Sequence, residues 1–242
     1  MRDMRNLLRR PGGRIALGIA VVALAAVVVA LGALGVYVFG GSGPSSHAAV
    51  SAATLVPTKD ETAFTIVPSA SEATFTIDEV LFGRQNTVVG KTSAVSGEIL
   101  VNAQHPSQSR VGQMRVDVST LLTDSQQRNH TLQSRILETD NAANQYATFT
   151  TTAIKGMPAS VAAGQTLHFQ LVGDLTVHQV TKSETFDVTL TVKSASELTG
   201  TAQTTVRYED FALSIPDVPF VSNVSDIVTL ALSFTATSAA HS

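Results

Sequence analysis

The sequence predicts an all-β, antiparallel domain carried behind one apolar N-terminal helix. Three observations predict it. From Ala63 onward apolar and polar residues alternate with period two. Between Arg14 and Lys59 there is no Lys, Arg, Asp or Glu. One stretch, Ser119 to Tyr146, departs from the alternation toward helical spacing.

The N-terminal elements come first. Residues 1–14 carry Arg2, Arg5, Arg9, Arg10 and Arg14 against Asp3, so the remaining chain is more acidic than the overall charge of −3. Residues 15–39 are Ala, Val, Leu, Ile and Gly, with Tyr37 and Phe39 near the end. As a helix this run spans about 37 Å, enough to cross a hydrocarbon core of roughly 30 Å with some tilt. The arginines before it are expected to stay inside, making residues 1–14 a cytoplasmic tail, 15–39 a single-pass transmembrane helix, and the rest extracytoplasmic. A cleaved signal peptide is the alternative, with Ser46-His47-Ala48 before Ala49 as small residues at a cleavage site, but its apolar region would be shorter. Residues 40–61, opening with Gly40-Gly41-Ser42-Gly43-Pro44-Ser45-Ser46, read as a flexible extracytoplasmic linker. The folded domain is then residues 62–238.

Within that domain the strands declare themselves by parity. Phe75 and Ile77 alternate with Thr74, Thr76 and Asp78; Val95, Ile99 and Val101 share one parity; Met114, Val116 and Val118 alternate with Arg115 and Asp117. Leu167, Phe169 and Leu171 alternate with His168 and Gln170. Phe186, Val188, Leu190 and Val192 alternate with Asp187, Thr189 and Thr191, and Val228, Leu230, Leu232 and Phe234 with Thr229, Ala231 and Ser233. Runs of this kind make an antiparallel sheet with one dry face, and closing it into a barrel removes exposed edges. Leu121, Leu122, Leu132, Ile136 and Leu137 instead suggest a short helix to about Glu138, capped by Asp124 or Ser125, across one barrel end.

Composition excludes several chemistries. The chain has no cysteine, hence no disulfide, no thiol catalysis and no acyl anchor on sulfur. An acidic domain without Trp or a basic stripe argues against nucleic acid. No Gly-x-Ser-x-Gly elbow and no phosphate-cradling glycine loop occur. The histidines lack metal-ligand spacing, leaving His130 with His178 as a through-space pair to check. The sequence therefore points away from an enzyme and from any resident cofactor or metal.

Several motifs carry a family resemblance. They are Phe64-Thr65-Ile66-Val67-Pro68 with Ser71 and Phe75, and Val89-Gly90-Lys91 followed by Val95-Ser96-Gly97-Glu98-Ile99. Asn129-His130-Thr131-Leu132-Gln133-Ser134 and Tyr146-Ala147-Thr148-Phe149 follow, then the run from Gly173 to Lys182, GDLTVHQVTK, and Asp210-Phe211. Together the domain resembles the YceI family of bacterial exported, lipocalin-like isoprenoid-binding proteins. It departs at Val67, where an acidic residue is expected, in the aromatic-poor stretch Glu138 to Gln145, and in the loop Ser214 to Asn223, which contains two prolines.

The resemblance implies an eight-stranded antiparallel lipocalin-like barrel with one short helix, holding a polyisoprenoid of quinone or prenyl-diphosphate type. The expected apolar pocket is formed by Phe75, Ile77, Val95, Ile99, Met114, Val116, Phe149, Leu175, Val177, Phe186, Val188, Leu190, Leu232 and Phe234. Arg128 and Arg135 are the head-group candidates. The expected partners are this lipid and the membrane, reached through the N-terminal helix. The competing reading is a non-enzymatic structural or interaction barrel of the envelope whose core is filled by its own side chains. An enzyme acting on a quinone ranks third.

Overall fold

The computed structural model describes residues 51–238 apart from residue 53. The expected cytoplasmic tail, membrane helix and first half of the linker lie outside the described residues. No helix among the described residues is long and apolar enough to cross a membrane.

The domain is all-β with one short helical segment. Its strands are β1 (Thr62–Ile66), β2 (Glu72–Leu81), β3 (Arg84–Thr92), β4 (Val95–Ser96), β5 (Glu98–Val101), β6 (Arg110–Val111) and β7 (Met114–Asp117). They continue with β8 (Tyr146–Lys155), β9 (Thr166–Val177), β10 (Val180–Ser194), β11 (Glu197–Arg207), β12 (Val221–Ser222) and β13 (Ile227–Thr237). All belong to one sheet with the path β4-β7-β8-β9-β10-β11-β13-β1-β5-β6, and every pairing is antiparallel. The sheet is strongly curled. Its path leaves from β4 and comes back to β5, which only Gly97 separates from β4 in sequence. On its other edge β13 pairs β1 near its C-terminal end and β2 along its first half, while β3 pairs β2.

Alternation decides which face is dry. Along β9, Leu167, Phe169, Leu171 and Leu175 are buried while His168, Gln170 and Asp174 are exposed. The register places these rows beside Val188 and Leu190 of β10, also buried. The same face collects Phe64, Val95, Ile99, Phe149, Leu198, Val206, Val228 and Phe234 into one apolar cluster. Each such side chain withdrawn from water contributes about 1.5–3 kcal/mol, so the curled sheet is held mainly by its inner face.

The helical interruption is real and short. Ser125 is the cap, its hydroxyl accepting from the Arg128 N–H at 3.4 Å, and helix α1 (Gln126–Thr131) runs into a wider π turn at Leu132–Ile136. Leu132 and Leu137 pack with Val118 and Leu121 in a small second cluster. The rest of the segment is fixed by polar groups. Asn129 Oδ1 accepts from both the N–H and the hydroxyl of Thr123 at 2.7 Å, and Gln145 Nε2 donates to Asp117 Oδ2 at 2.9 Å.

Successive connections of an up-and-down sheet alternate between its ends. Residues 82–83, 118–145, 178–179 and 208–226 thus gather at a helix end, and 102–109, 156–165 and 195–196 at the opposite end. The second half of the expected linker is docked on the outer wall. The Ser51 carbonyl accepts from Arg115 Nη1 at 3.2 Å, Leu55 N–H donates to Glu98 Oε2 at 2.6 Å, and Glu61 pairs with Arg110 at 2.7 Å. The free stalk expected over residues 40–61 is therefore, from residue 51, a strap lying along β5 to β7.

Candidate ligand-binding cavity

The curled sheet is hollow. A cavity of about 360 Å³ lies inside it, walled almost entirely by carbon. Pro106, Met157 and Val161 reach it from the opposite end, and Leu132, Ile136, Leu213 and Val218 from the helix end. This volume is in the range of ~300–1,000 Å³ typical of sites for small ligands.

The space stays open because several large inner side chains lie flat over glycines. Phe75 faces Gly90 directly across β2 and β3, and Phe234 faces Gly200 across β11 and β13. A Cβ placed on Gly200 would stand 2.9 Å from the Phe234 ring and 2.7 Å from the Thr189 carbonyl oxygen. Likewise Gly90 is covered by the Phe75 ring, Gly97 by the Met114 thioether and Gly173 by the Phe149 ring. Phe149 meets Phe186 edge to face, with centroids 4.8 Å apart. A ring that rests on bare backbone lines the wall without projecting across the lumen. Small neighbours thus make room for large residues and leave the axis empty.

Of the residues expected in the pocket, Phe75, Ile77, Ile99, Met114, Val116, Phe149, Leu175, Val177, Phe186, Val188, Leu190, Leu232 and Phe234 all line this cavity. Val95 is among the most buried residues, 1% exposed, but belongs to the surrounding core and not to the lining. The lining also includes Leu167, Phe169 and Leu171, which share the parity of Leu175 and Val177 on β9; parity alone would have found them. Leu213, Ile215, Pro216, Val218 and Val224 sit in an aperiodic loop that carries no such signal.

Polar groups gather at the helix end. Arg128 lines the cavity and is largely buried, its guanidinium 3.2 Å from Glu79 Oε1 and also paired with Asp124. Glu79, 7% exposed, lines the cavity too and accepts from Asn86 Nδ2 at 2.8 Å. One cation between two carboxylates leaves the helix end of the cavity without surplus positive charge from Arg128. Nearby on β10, burial and then the Asp210 carboxylate push the Glu184 carboxyl up from its ordinary value. Arg135 is exposed and does not reach the cavity, because it falls on the outer face of the π turn. His178 meets Glu138 at 3.4 Å, and no cluster of three His, Cys, Asp or Glu suited to a metal occurs among the described residues.

Residues 64–236 match the YceI-like domain. The chain belongs to the YceI-like family. Two solved structures show the same fold as this YceI-like domain. Burkholderia cenocepacia BcnA is 18% identical, with a TM-score of 0.56 over 71% of this chain and 99% of its own. A polyisoprenoid binding domain from Saccharophagus degradans, implicated in plant cell wall breakdown, is 15% identical, with a TM-score of 0.54 over 74% and 99%. Comparison with curated proteins gives no match.

Proposed function

We propose that this YceI-like domain binds the tail of a long isoprenoid lipid inside its curled sheet, as a carrier or sequestering module at the outer face of the cytoplasmic membrane. The observation that carries this reading is the apolar cavity, lined from both ends of the sheet by residues that could have met across it but lie against the wall. A core filled by its own side chains would leave no such space. On this reading β1–β2, β3–β5, β6–β7 and β12–β13 act as single kinked strands, and the thirteen segments work as an eight-stranded barrel. The solved Saccharophagus domain, a polyisoprenoid binding domain by description, supports the same assignment.

Energetics place the selectivity at the mouth. Each buried methylene contributes about 0.8 kcal/mol against water, so a few isoprene units supply roughly 10 kcal/mol before association costs. A lipid that leaves a bilayer gains little of this, since its tail was already in oil. Head-group contacts then discriminate. With Arg128 already neutralised by Glu79 and Asp124, the mouth favours an uncharged quinone-type head over a diphosphate. The role is binding and not catalysis, and no metal or cofactor enters it.

The test is mass spectrometry of solvent extracts from full-length protein purified gently from its host membrane. One isoprenoid per chain is expected. Stable protein that carries none, and takes up neither a prenylquinone nor a prenyl diphosphate, overturns the reading. Trp in place of Met114 or Phe186 should fill the cavity and abolish uptake while the sheet stays folded. Glu79→Gln, by freeing Arg128, should shift preference toward the diphosphate.

A further inference from the structure

At the helix end two phenylalanines break two rules together. Phe82 and Phe220 are exposed, 41% and 60%, and their rings stack with centroids 4.9 Å apart. Both have left-handed backbones, with φ of 51° and 69°. Phe82 forms the β2–β3 turn with Gly83, where both central residues have positive φ, a turn that selects Asn or Gly at its first position and penalises a bulky ring. Phe220 precedes β12 in a turn closed by Val221 N–H donating to the Val218 carbonyl at 3.1 Å. The Phe82 N–H donates to the Phe220 carbonyl at 2.9 Å, so the two turns are joined as one tip. Side chains that cost both backbone strain and exposed apolar area are expected where they meet something.

The tip adjoins the cavity. Val218 and Val221, on either side of Phe220, line it. The strap indicates which way this end faces. Residue 51 lies against Arg115, two positions from where β7 enters the helix end, and the chain then runs away to Arg110 beside the opposite end. The apolar run ends at Phe39. The intervening dozen or so residues reach at most roughly 40 Å and join the wall on the helix-end side. A chain held at a membrane by that run therefore presents the helix end to it more readily than the opposite end. The charges near the tip are mixed, with Arg84 two residues from Phe82, Asp78 and Asp217 beside the two turns and Asp226 paired with Arg207. The tip thus carries no basic cluster, and contact would be apolar and not a response to anionic lipid.

We propose that Phe82 and Phe220 form a docking tip that inserts into the interfacial region of the lipid bilayer and sets the cavity mouth against it, so that a lipid tail enters without crossing water. This rests on the lipid-binding reading above and names its route of loading.

The chain has no tryptophan, so a single one is a clean reporter. The full chain carrying Phe220→Trp is reconstituted into phosphatidylcholine vesicles whose acyl chains are brominated near the head group. A second sample carries Trp in place of Ala195, exposed in the β10–β11 turn at the opposite end. Trp at 220 is expected to be blue-shifted and quenched to about half or less, because an interfacial side chain lies ~5–10 Å deep, whereas Trp at 195 should be unaffected. Equal, weak quenching at both positions overturns the proposal. So does a blue shift that tracks protein concentration without bromine quenching, which would assign the tip to a second copy of the chain. The double variant Phe82→Asn/Phe220→Asn, which suits both turns, should fold, melt no lower than the parent, and take up prenylquinone from vesicles at least several-fold more slowly, with an unchanged equilibrium occupancy. Unchanged uptake rates would also sink it. If no lipid is ever found in the cavity while Trp at 220 is quenched, the lipid-binding reading fails and the docking stands; extractable lipid with unquenched Trp is the converse.

Discussion

The wall of the sheet and the segment from 118 to 145 both border the cavity, and they are held in opposite ways. Along the wall, apolar rows meet across strands and the polar groups face water, as on β9 and β10. In residues 118–145 the buried groups include Thr120, Thr123, Ser125, Asn129 and Asn144, with Asp117 at the end of β7 just before them, and their side chains bond to backbone and to one another. Area burial forgives small changes in shape, whereas a buried hydrogen-bond network fails when one partner is lost. The difference teaches that lumen shape is set by the wall, and the position of the helix-end cover by a few polar side chains.

The largest expected effect breaks the wall where glycine meets backbone. A Cβ at residue 173 would overlap the Thr150 carbonyl as well as the Phe149 ring. Gly173→Val should therefore cost about 3 kcal/mol or more, read as a lower urea midpoint with an unchanged slope. A midpoint within error of the parent would mean that β8 and β9 adjust freely and that the close approach is not structural.

Next comes the cover. Asn129→Ala removes the acceptor for the Thr123 N–H and hydroxyl, both buried, and should destabilise by about 2 kcal/mol. Hydrogen exchange should rise in residues 118–137 while β9 and β10 keep their protection. Uniform loss of protection would show that cover and wall open as a single unit.

A milder wall change separates shape from stability. At Gly90 the three atoms nearest to a Cβ all belong to the Phe75 ring, a side chain that can swing away. Gly90→Ala should cost no more than ~1–2 kcal/mol but lift Phe75 into the lumen, reducing isoprenoid uptake at least tenfold. Normal uptake by a folded Gly90→Ala protein would refute the idea that glycines keep the lumen open.

This contrast also explains what the sequence revealed. The wall was legible because period two is a one-dimensional signal: thirteen of the residues chosen by parity or motif line the cavity. Val95 was misplaced because parity separates inside from outside but not lining from surrounding core. The cap at Ser125 was readable from residue type, yet the fixing of Asn129 on Thr123 was not, since that bond depends on a loop conformation. Arg128 and Arg135 looked equivalent in sequence; a π turn and the partner Glu79, distant in sequence, made one a cavity residue and the other a surface one. The apolar loop from Leu213 to Val224 has no period at all, so its part in the lining appears only once the chain is folded.

The smallest effect concerns the strap on the outer wall. Arg110, hydrogen-bonded to Glu61, is the main cause holding the Glu61 carboxyl at about 2 against an ordinary 4.5, and the Thr58 N–H adds to it. A carboxyl whose folded pKa is depressed stabilises the fold fully above its ordinary pKa, and this is lost as pH falls toward the folded value. The parent should therefore lose its advantage over Glu61→Gln between about 4.5 and about 2, and keep it constant above that window. The advantage at neutral pH should be slight, because the Arg110 side chain is 45% exposed and water screens its charge, although the Glu61 side chain beneath it is only 4% exposed. Melting temperatures of both proteins from pH 7 to pH 2 measure it. Parallel curves throughout would mean that Leu55 on Glu98 and Ser51 on Arg115 hold the strap without this pair, and that the wall binds the strap through backbone contacts alone.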